Sequence, residues 1–229
     1  MSYAANLMTR PIVGRLGLNG ILALAGIAGP LVLVIMDSVA ALATPGYSLI
    51  KDSISSLAWT KLGFVQTIGF LVIGLLVELF VAGLLFSIRG VKGFGFGIAL
   101  IAVFGFGLLL IGAFHTNPAG GTNTLEGTIH GIVAKTIFWL FPAAALLIAP
   151  SLRKNPFWKS LFIYSIIASI VAIGLMISTL WMPEENSKFG LFERVLVVDE
   201  ILWVEIMAIW LFRLSLRRKK GGPSKESSA

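Results

Sequence analysis

Six stretches of the chain are long, apolar and almost free of charge, and short polar breaks separate them. They fall at about residues 18–43, 63–88, 93–114, 128–152, 160–182 and 191–212. A helix needs roughly 20 mostly apolar residues to cross the hydrocarbon of a bilayer. Each stretch therefore predicts a membrane-spanning helix. The first is uncharged from Leu18 to Met36, and the third and fifth carry no charge at all. Glu78 alone interrupts the second, and His130 and Lys135 lie near the start of the fourth. The sixth departs most from the pattern, because it holds Glu193, Arg194, Asp199, Glu200 and Glu205. The expected architecture is an all-α integral membrane bundle of six transmembrane helices over residues 1–216. A basic, disordered cytoplasmic tail is expected over residues 217–229.

Pro30 inside the first stretch is compatible with a membrane helix. Arg10 and Arg15 precede that stretch, and Ala41-Leu42-Ala43 has the look of a cleavage site. The apolar run nevertheless exceeds the roughly 7–15 residues of a signal-peptide core, so it is expected to remain as a span.

Composition narrows the class further. The chain of 229 residues is 57% hydrophobic and 13% charged, with a mean hydropathy of +0.92. A water-soluble domain is about a quarter charged and could not hide so much apolar surface at this length. A soluble enzyme or a nucleic-acid binder is therefore excluded. The absence of cysteine excludes disulfides, thiol catalysis and iron–sulfur clusters. The net charge of +7 is the excess expected on the cytoplasmic side of a membrane protein. Thirteen of the 18 Lys and Arg fall at Arg10, Arg15, Arg89, Lys92, Arg153, Lys154, Lys159 and from Arg213 onward, all on one side of a six-span layout. Only Lys51, Lys61, Lys188 and Arg194 fall on the other. Both termini are thus expected in the cytoplasm and the protein in the plasma membrane. Trp59 and Trp181 would mark the outer boundary, and Trp158 and Trp210 the inner one, whereas Trp139 and Trp203 are expected to pack in the interior. No internal repeat of the kind common in transporters is visible.

The three outward connections hold nearly all the distinctive polar sequence. The first contains Thr44-Pro45-Gly46-Tyr47-Ser48 and Lys51-Asp52-Ser53-Ile54-Ser55-Ser56-Leu57. The second runs from His115 to His130, and the third from Pro183 to Arg194. Pro-Gly-Tyr-Ser followed by Ile-Ser-x-Leu resembles the first-loop motif of the bacterial and archaeal membrane family DUF998. Thr128-Ile129-His130-Gly131 resembles that family's fourth-helix motif, and Gly190-Leu191-Phe192-Glu193-Arg194 its motif before the last helix. The resemblance covers most of the chain and implies the six-helix fold, with a function that the family leaves undefined. Where the family usually shows a Glu-Leu-Gly-like continuation, this chain has Ser56-Leu57-Ala58. Where relatives often show Phe-Pro-x-Asp, it has Phe114-His115-Thr116-Asn117-Pro118, so any role of that Asp is replaced or absent here.

The polar residues suggest candidate chemistry. Glu126 and His130 are four apart and share one helix face, and Gly127 and Gly131 beside them would allow close helix approach. His130, oriented by Glu126 and joined by His115, could act as a base, proton carrier or metal ligand. These three are the candidate catalytic residues. The bland reading is a helix-capping Glu126 and a His130 bonded to nearby backbone. Because an offset of fifteen positions between His115 and His130 is no known ligand spacing, no metal and no cofactor is expected. Tyr47, Ser48, Asp52, His130, Glu193 and Arg194 are candidate ligand-binding residues, with Arg194 suited to clamping a carboxylate or phosphate. Its bland reading is an interfacial anchor.

Depth places the remaining charges. At about 1.5 Å of rise per residue, Asp37 and Asp199 both lie about 10 Å below the outer boundary, with Lys135 at a similar level. An unpaired charge there is costly, so an Asp37–Lys135–Asp199 cluster is expected. Whether it is functional or a static ion pair is left open. Glu78 and Glu205 would lie about 20 Å deep. They are either a proton-sharing carboxyl pair or two acids bonded to backbone carbonyls. Three functions remain open. The leading one is an outward-facing polar pocket for a small solute or lipid headgroup, serving transport or sensing. The second is a membrane-embedded hydrolase using His115, His130 and Glu126 or Asp52, with or without zinc. The third is a non-catalytic subunit whose acidic sixth span meets a partner chain or a second copy. Expected partners are membrane lipids and no nucleic acid.

Overall fold

The computed structural model describes residues 17–118, 121–180 and 188–220. Six long helices appear: α1 (Leu18–Leu42), α2 (Gly63–Ser87), α3 (Phe94–Ala113), α4 (Leu125–Lys154), α5 (Leu161–Leu180) and α6 (Phe189–Lys220). A short 3-10 helix, Ile54–Trp59, lies between α1 and α2, and no strand occurs among the described residues. Arg10, Arg15, Trp181, Glu184 and residues 221–229 lie outside the described residues.

Five helices, α1 to α5, are long and apolar enough to cross a membrane. The last segment is a helix of 32 residues whose apolar run is interrupted by Glu193, Arg194, Asp199, Glu200 and Glu205, and among the described residues it does not join those five. It continues through Lys220. Basic residues in a last helical turn face the negative end of the helix dipole, which favours this continuation.

Each helix packs on the next, and α6 returns against α1, so the six form a closed ring. Small residues permit the close approaches. A Cβ on Gly26 of α1 would lie 2.6 Å from Phe80 and 2.7 Å from Ala208. One on Gly74 of α2 would lie 2.9 Å from the Gly105 carbonyl of α3. Without a hydrophobic force between helices in lipid, such contacts supply much of the association energy. The interior is closed by aromatic rings. Phe104, Phe141 and Trp203 are fully buried, with centroids 4.9 Å apart for the first two and 5.5 Å for the last two. The Trp203 indole N–H donates to the Ser165 hydroxyl at 2.9 Å, as a buried indole requires. Trp139, expected inside, is on the surface. Leu75, Phe86, Phe96, Phe106, Ile163 and Ile170 point outward, an apolar exterior that suits lipid and not water.

Candidate functional site

The first connection folds back on the start of α6. Pro45 and Gly46 make a tight turn with Gly46 at φ 78°, a conformation natural for glycine after proline. The turn lifts Tyr47 toward Arg194. Nη2 of Arg194 donates to the Tyr47 hydroxyl, which donates in turn to the Ser53 carbonyl at 2.8 Å. Nη1 lies 2.8 Å from the Asp52 carbonyl, 3.0 Å from that of Leu49 and 3.1 Å from that of Gly190. The Glu193 carboxylate accepts from the Ile54 N–H at 2.6 Å. Backbone bonds from Gly190 and Leu191 to the Lys51 and Ile50 carbonyls satisfy the open N-terminal turn of α6. A side chain at Gly190 would meet the Asp52 carbonyl at 2.2 Å, so only glycine admits this contact. Asp52 accepts from the Ser48 N–H at 2.6 Å and shapes the loop from within. Burial pushes the Tyr47 phenol up to about 12, against the opposing pull of Arg194. The phenol therefore remains a donor throughout the physiological range.

Tyr47, Ser48, Asp52, Glu193 and Arg194 are thus brought together, as the sequence suggested. They engage one another and the backbone, forming a latch that fixes residues 52–54 and hence the entry to the 3-10 helix. Ser53 completes that entry by accepting from the Ser56 N–H at 3.1 Å.

The next residue, Ser55, is delivered to His130. Its hydroxyl lies 3.0 Å from His130 Nε2, while His130 Nδ1 lies 2.7 Å from the Phe114 carbonyl. A carbonyl can only accept, so Nδ1 carries the proton and Nε2 of the neutral ring presents its lone pair to Ser55. The expected pairing of Glu126 with His130 is replaced by another. Glu126 Oε1 pairs with His115, 2.9 Å from Nδ1 and 2.6 Å from the backbone nitrogen. The connection doubles back because Asn117 accepts from the Thr124 N–H and hydroxyl at 2.8 and 3.0 Å. Thr124 caps α4 by accepting from the Gly127 N–H. His115 Nε2 lies 3.3 Å from the Thr67 hydroxyl of α2. Gly127 gives room to the Asn117 side chain and Gly131 faces open space, so the pair serves no helix contact.

Between these groups lies a cavity of about 10 Å³ lined by Ser55, Gln66, Thr67, His115 and His130 with Ala58, Phe70 and Ile111. That volume suits about one water molecule. Gln66 is 1% exposed, and neither of its amide atoms has a hydrogen-bond partner. Ser55 and Gln66 were missed in the sequence reading. No group of three metal-ligating side chains occurs among the described residues.

The charges within the helices are placed differently from expectation. Lys135 is exposed on the outside of the ring, and α1 and α4 are not neighbours. No Asp37–Lys135–Asp199 cluster forms. Asp37 and Asp199 each keep one buried carboxylate oxygen without a hydrogen-bond partner. Glu78 packs on α3 beside Gly105, and among the described residues no hydrogen bond or ion pair joins it to Glu205. The acid most enclosed is Glu200, at 0% exposure, with both oxygens unpartnered.

A ring of apolar helices with a polar centre under its ornate connections defines a multi-pass, membrane-type helical protein. The family model described as "Protein of unknown function (DUF998)" matches residues 27–210, and the chain belongs to that family. Comparison with curated proteins and with solved structures finds no match. The motif residues Tyr47, Ser55, His130, Gly190, Glu193 and Arg194 all lie in the latch or in the Ser55–His130 pair it supports.

Proposed function

We propose that this protein is a membrane-embedded serine hydrolase that cleaves an ester or amide carried by an amphiphilic substrate at the membrane boundary. The observation that carries the reading is the 3.0 Å approach of Ser55 Oγ to His130 Nε2, with the tautomer set by the Phe114 carbonyl. Nucleophile, base and a third group that orients the base are the three parts such chemistry requires. Here a backbone carbonyl takes the orienting place that a carboxylate often fills.

In the reaction, Ser55 Oγ attacks the acyl carbon while its proton passes to His130 Nε2. The bond from the acyl carbon to the leaving oxygen or nitrogen then breaks, and His130 returns the proton to that atom. Water attacks the resulting Ser55 ester, giving its proton to His130. The acid product leaves and Ser55 regains its hydrogen. The Gln66 amide lines the same cavity and has a free N–H pair for the oxygen that becomes negative. His130 is buried, but Ser55 is half-buried and Trp59, four residues on, is 53% exposed, so the serine approaches the surface where a lipid-like ester would arrive. The reading takes six crossings in the plasma membrane, the basic end and both termini in the cytoplasm and Ser55 outside, in keeping with the distribution of Lys and Arg. It is favoured over a solute pocket built on Arg194, because both Nη atoms of that guanidinium already have partners.

The test is hydrolysis of p-nitrophenyl acyl esters by the purified protein in detergent. Ser55→Ala should remove activity above background. His130→Gln should slow it by about 10²–10⁴-fold, the usual value of a general base. The unfolding temperature of Ser55→Ala should stay close to the parent's, since one hydrogen bond is worth only about 1 kcal/mol. Activity that survives Ser55→Ala unchanged would defeat the assignment.

A further inference from the structure

At the opposite end of the ring, the α4–α5 connection surrounds a second cavity, of about 440 Å³, lined by Pro150, Arg153, Lys154, Lys159 and Phe162. Its size falls within the usual range for small-ligand sites. Three of its five lining residues are cations. Between Glu126 and Glu184 the chain contains no acidic residue, and none of the three cations forms an ion pair among the described residues. The Arg153 guanidinium lies over the Phe162 ring, 5.4 Å from its centroid, which holds it in place without neutralising it.

Helix electrostatics account for part of this charge only. Arg153 and Lys154 end α4 and face the negative pole of its dipole. Lys159 precedes α5, which starts at Leu161, and so stands at a positive pole that repels it. All three cations are exposed, and an anion set among them would be attracted by each at once. The cavity's apolar lining residues, Pro150 and Phe162, belong to the neighbouring helices α4 and α5, and basic pockets between membrane helices receive lipid headgroups.

We infer that this pocket binds the phosphodiester headgroup of an anionic phospholipid, with Arg153 and Lys159 on the phosphate oxygens and Phe162 beneath the glycerol. The inference is independent of the hydrolase reading, and neither fails with the other.

The probes are phosphatidylglycerol, phosphatidylcholine and inorganic phosphate, added to the full chain in neutral detergent and followed by native mass spectrometry. The parent should hold one phosphatidylglycerol in preference to phosphatidylcholine. The triple change Arg153→Gln, Lys154→Gln and Lys159→Gln should weaken that binding by about 100-fold, from the usual contribution of each basic residue near an anionic surface. Should the triple variant fail to fold, the single exposed change Lys159→Glu should still weaken it by about 10-fold. Arg89→Gln with Lys92→Gln removes charge from the same end outside the pocket, and should change binding by less than about 3-fold. Equal binding of both lipids, equal loss in the Arg89 and Lys92 control, or displacement of the lipid by millimolar inorganic phosphate would each overturn the inference.

Discussion

A guanidinium bonded at once to a phenol and to backbone carbonyls is hard to replace. Lysine keeps the charge of Arg194 but has one compact ammonium in place of a planar fork, so it cannot reach Tyr47 and the Asp52 carbonyl together. Arg194→Lys is expected to destabilise the protein by about 1–3 kcal/mol, the cost of leaving buried polar groups unpaired. Tyr47→Phe should cost a similar amount, because it removes both the acceptor for Nη2 and the donor to Ser53. Unfolding followed by tryptophan fluorescence in detergent measures both, and an unchanged midpoint in either variant would contradict the latch. Some of this was legible in the sequence. Tyr47, Asp52, Glu193 and Arg194 were grouped from topology alone, and His130 was conspicuous as a polar residue in an apolar helix. What they bond was not legible. Ser55 is 75 residues from His130 and looks like any loop serine. Glu126 shares a helix face with His130, but the loop returns His115 to it first. Gln66 is one polar residue at the start of a helix until its neighbours close around it.

Among the elements, charge-free runs located the helices well because bilayer thickness fixes their length. α1, α2, α3 and α5 end within a few residues of the expected limits. α4 is longer at both ends, since Thr124 caps it early and basic residues continue it to Lys154. Neighbour order was hidden, because apolar helices look alike from outside and glycines select their contacts only in three dimensions. That is why Lys135 was matched with Asp37 across a ring in which their helices do not meet. It is also why Glu200, the enclosed acid, was not separated from Asp199 and Glu205. Gly74→Leu should test the ring at the α2–α3 crossing. The added side chain meets the Gly105 carbonyl and Leu109, and overpacking of this kind costs about 1–3 kcal/mol or more. The same change at Gly131, where a Cβ meets nothing within 4 Å, should be tolerated. Thermal unfolding of the two variants side by side makes the comparison, and equal losses would count against the packing described.

For the molecule as a whole, the two ends differ in kind. One end carries the latch, the two histidines and the water-sized cavity. The other carries Arg89, Lys92, Arg153, Lys154 and Lys159 with apolar residues between. The absence of native cysteine makes sidedness directly measurable. A cysteine at Asn123 should react with a membrane-impermeant maleimide on intact cells, and one at Lys92 only after permeabilisation. Labelling of both from outside would contradict the six-crossing layout.

The proposed nucleophile, Ser55 activated by His130, can be trapped: a fluorophosphonate forms a covalent bond to the oxygen of an activated serine, and peptide mass spectrometry of the treated, purified protein locates the adduct. The expected result is a single adduct on Ser55, formed by the parent and lost in His130→Gln. An unmodified Ser55, or one labelled equally fast without His130, would contradict it.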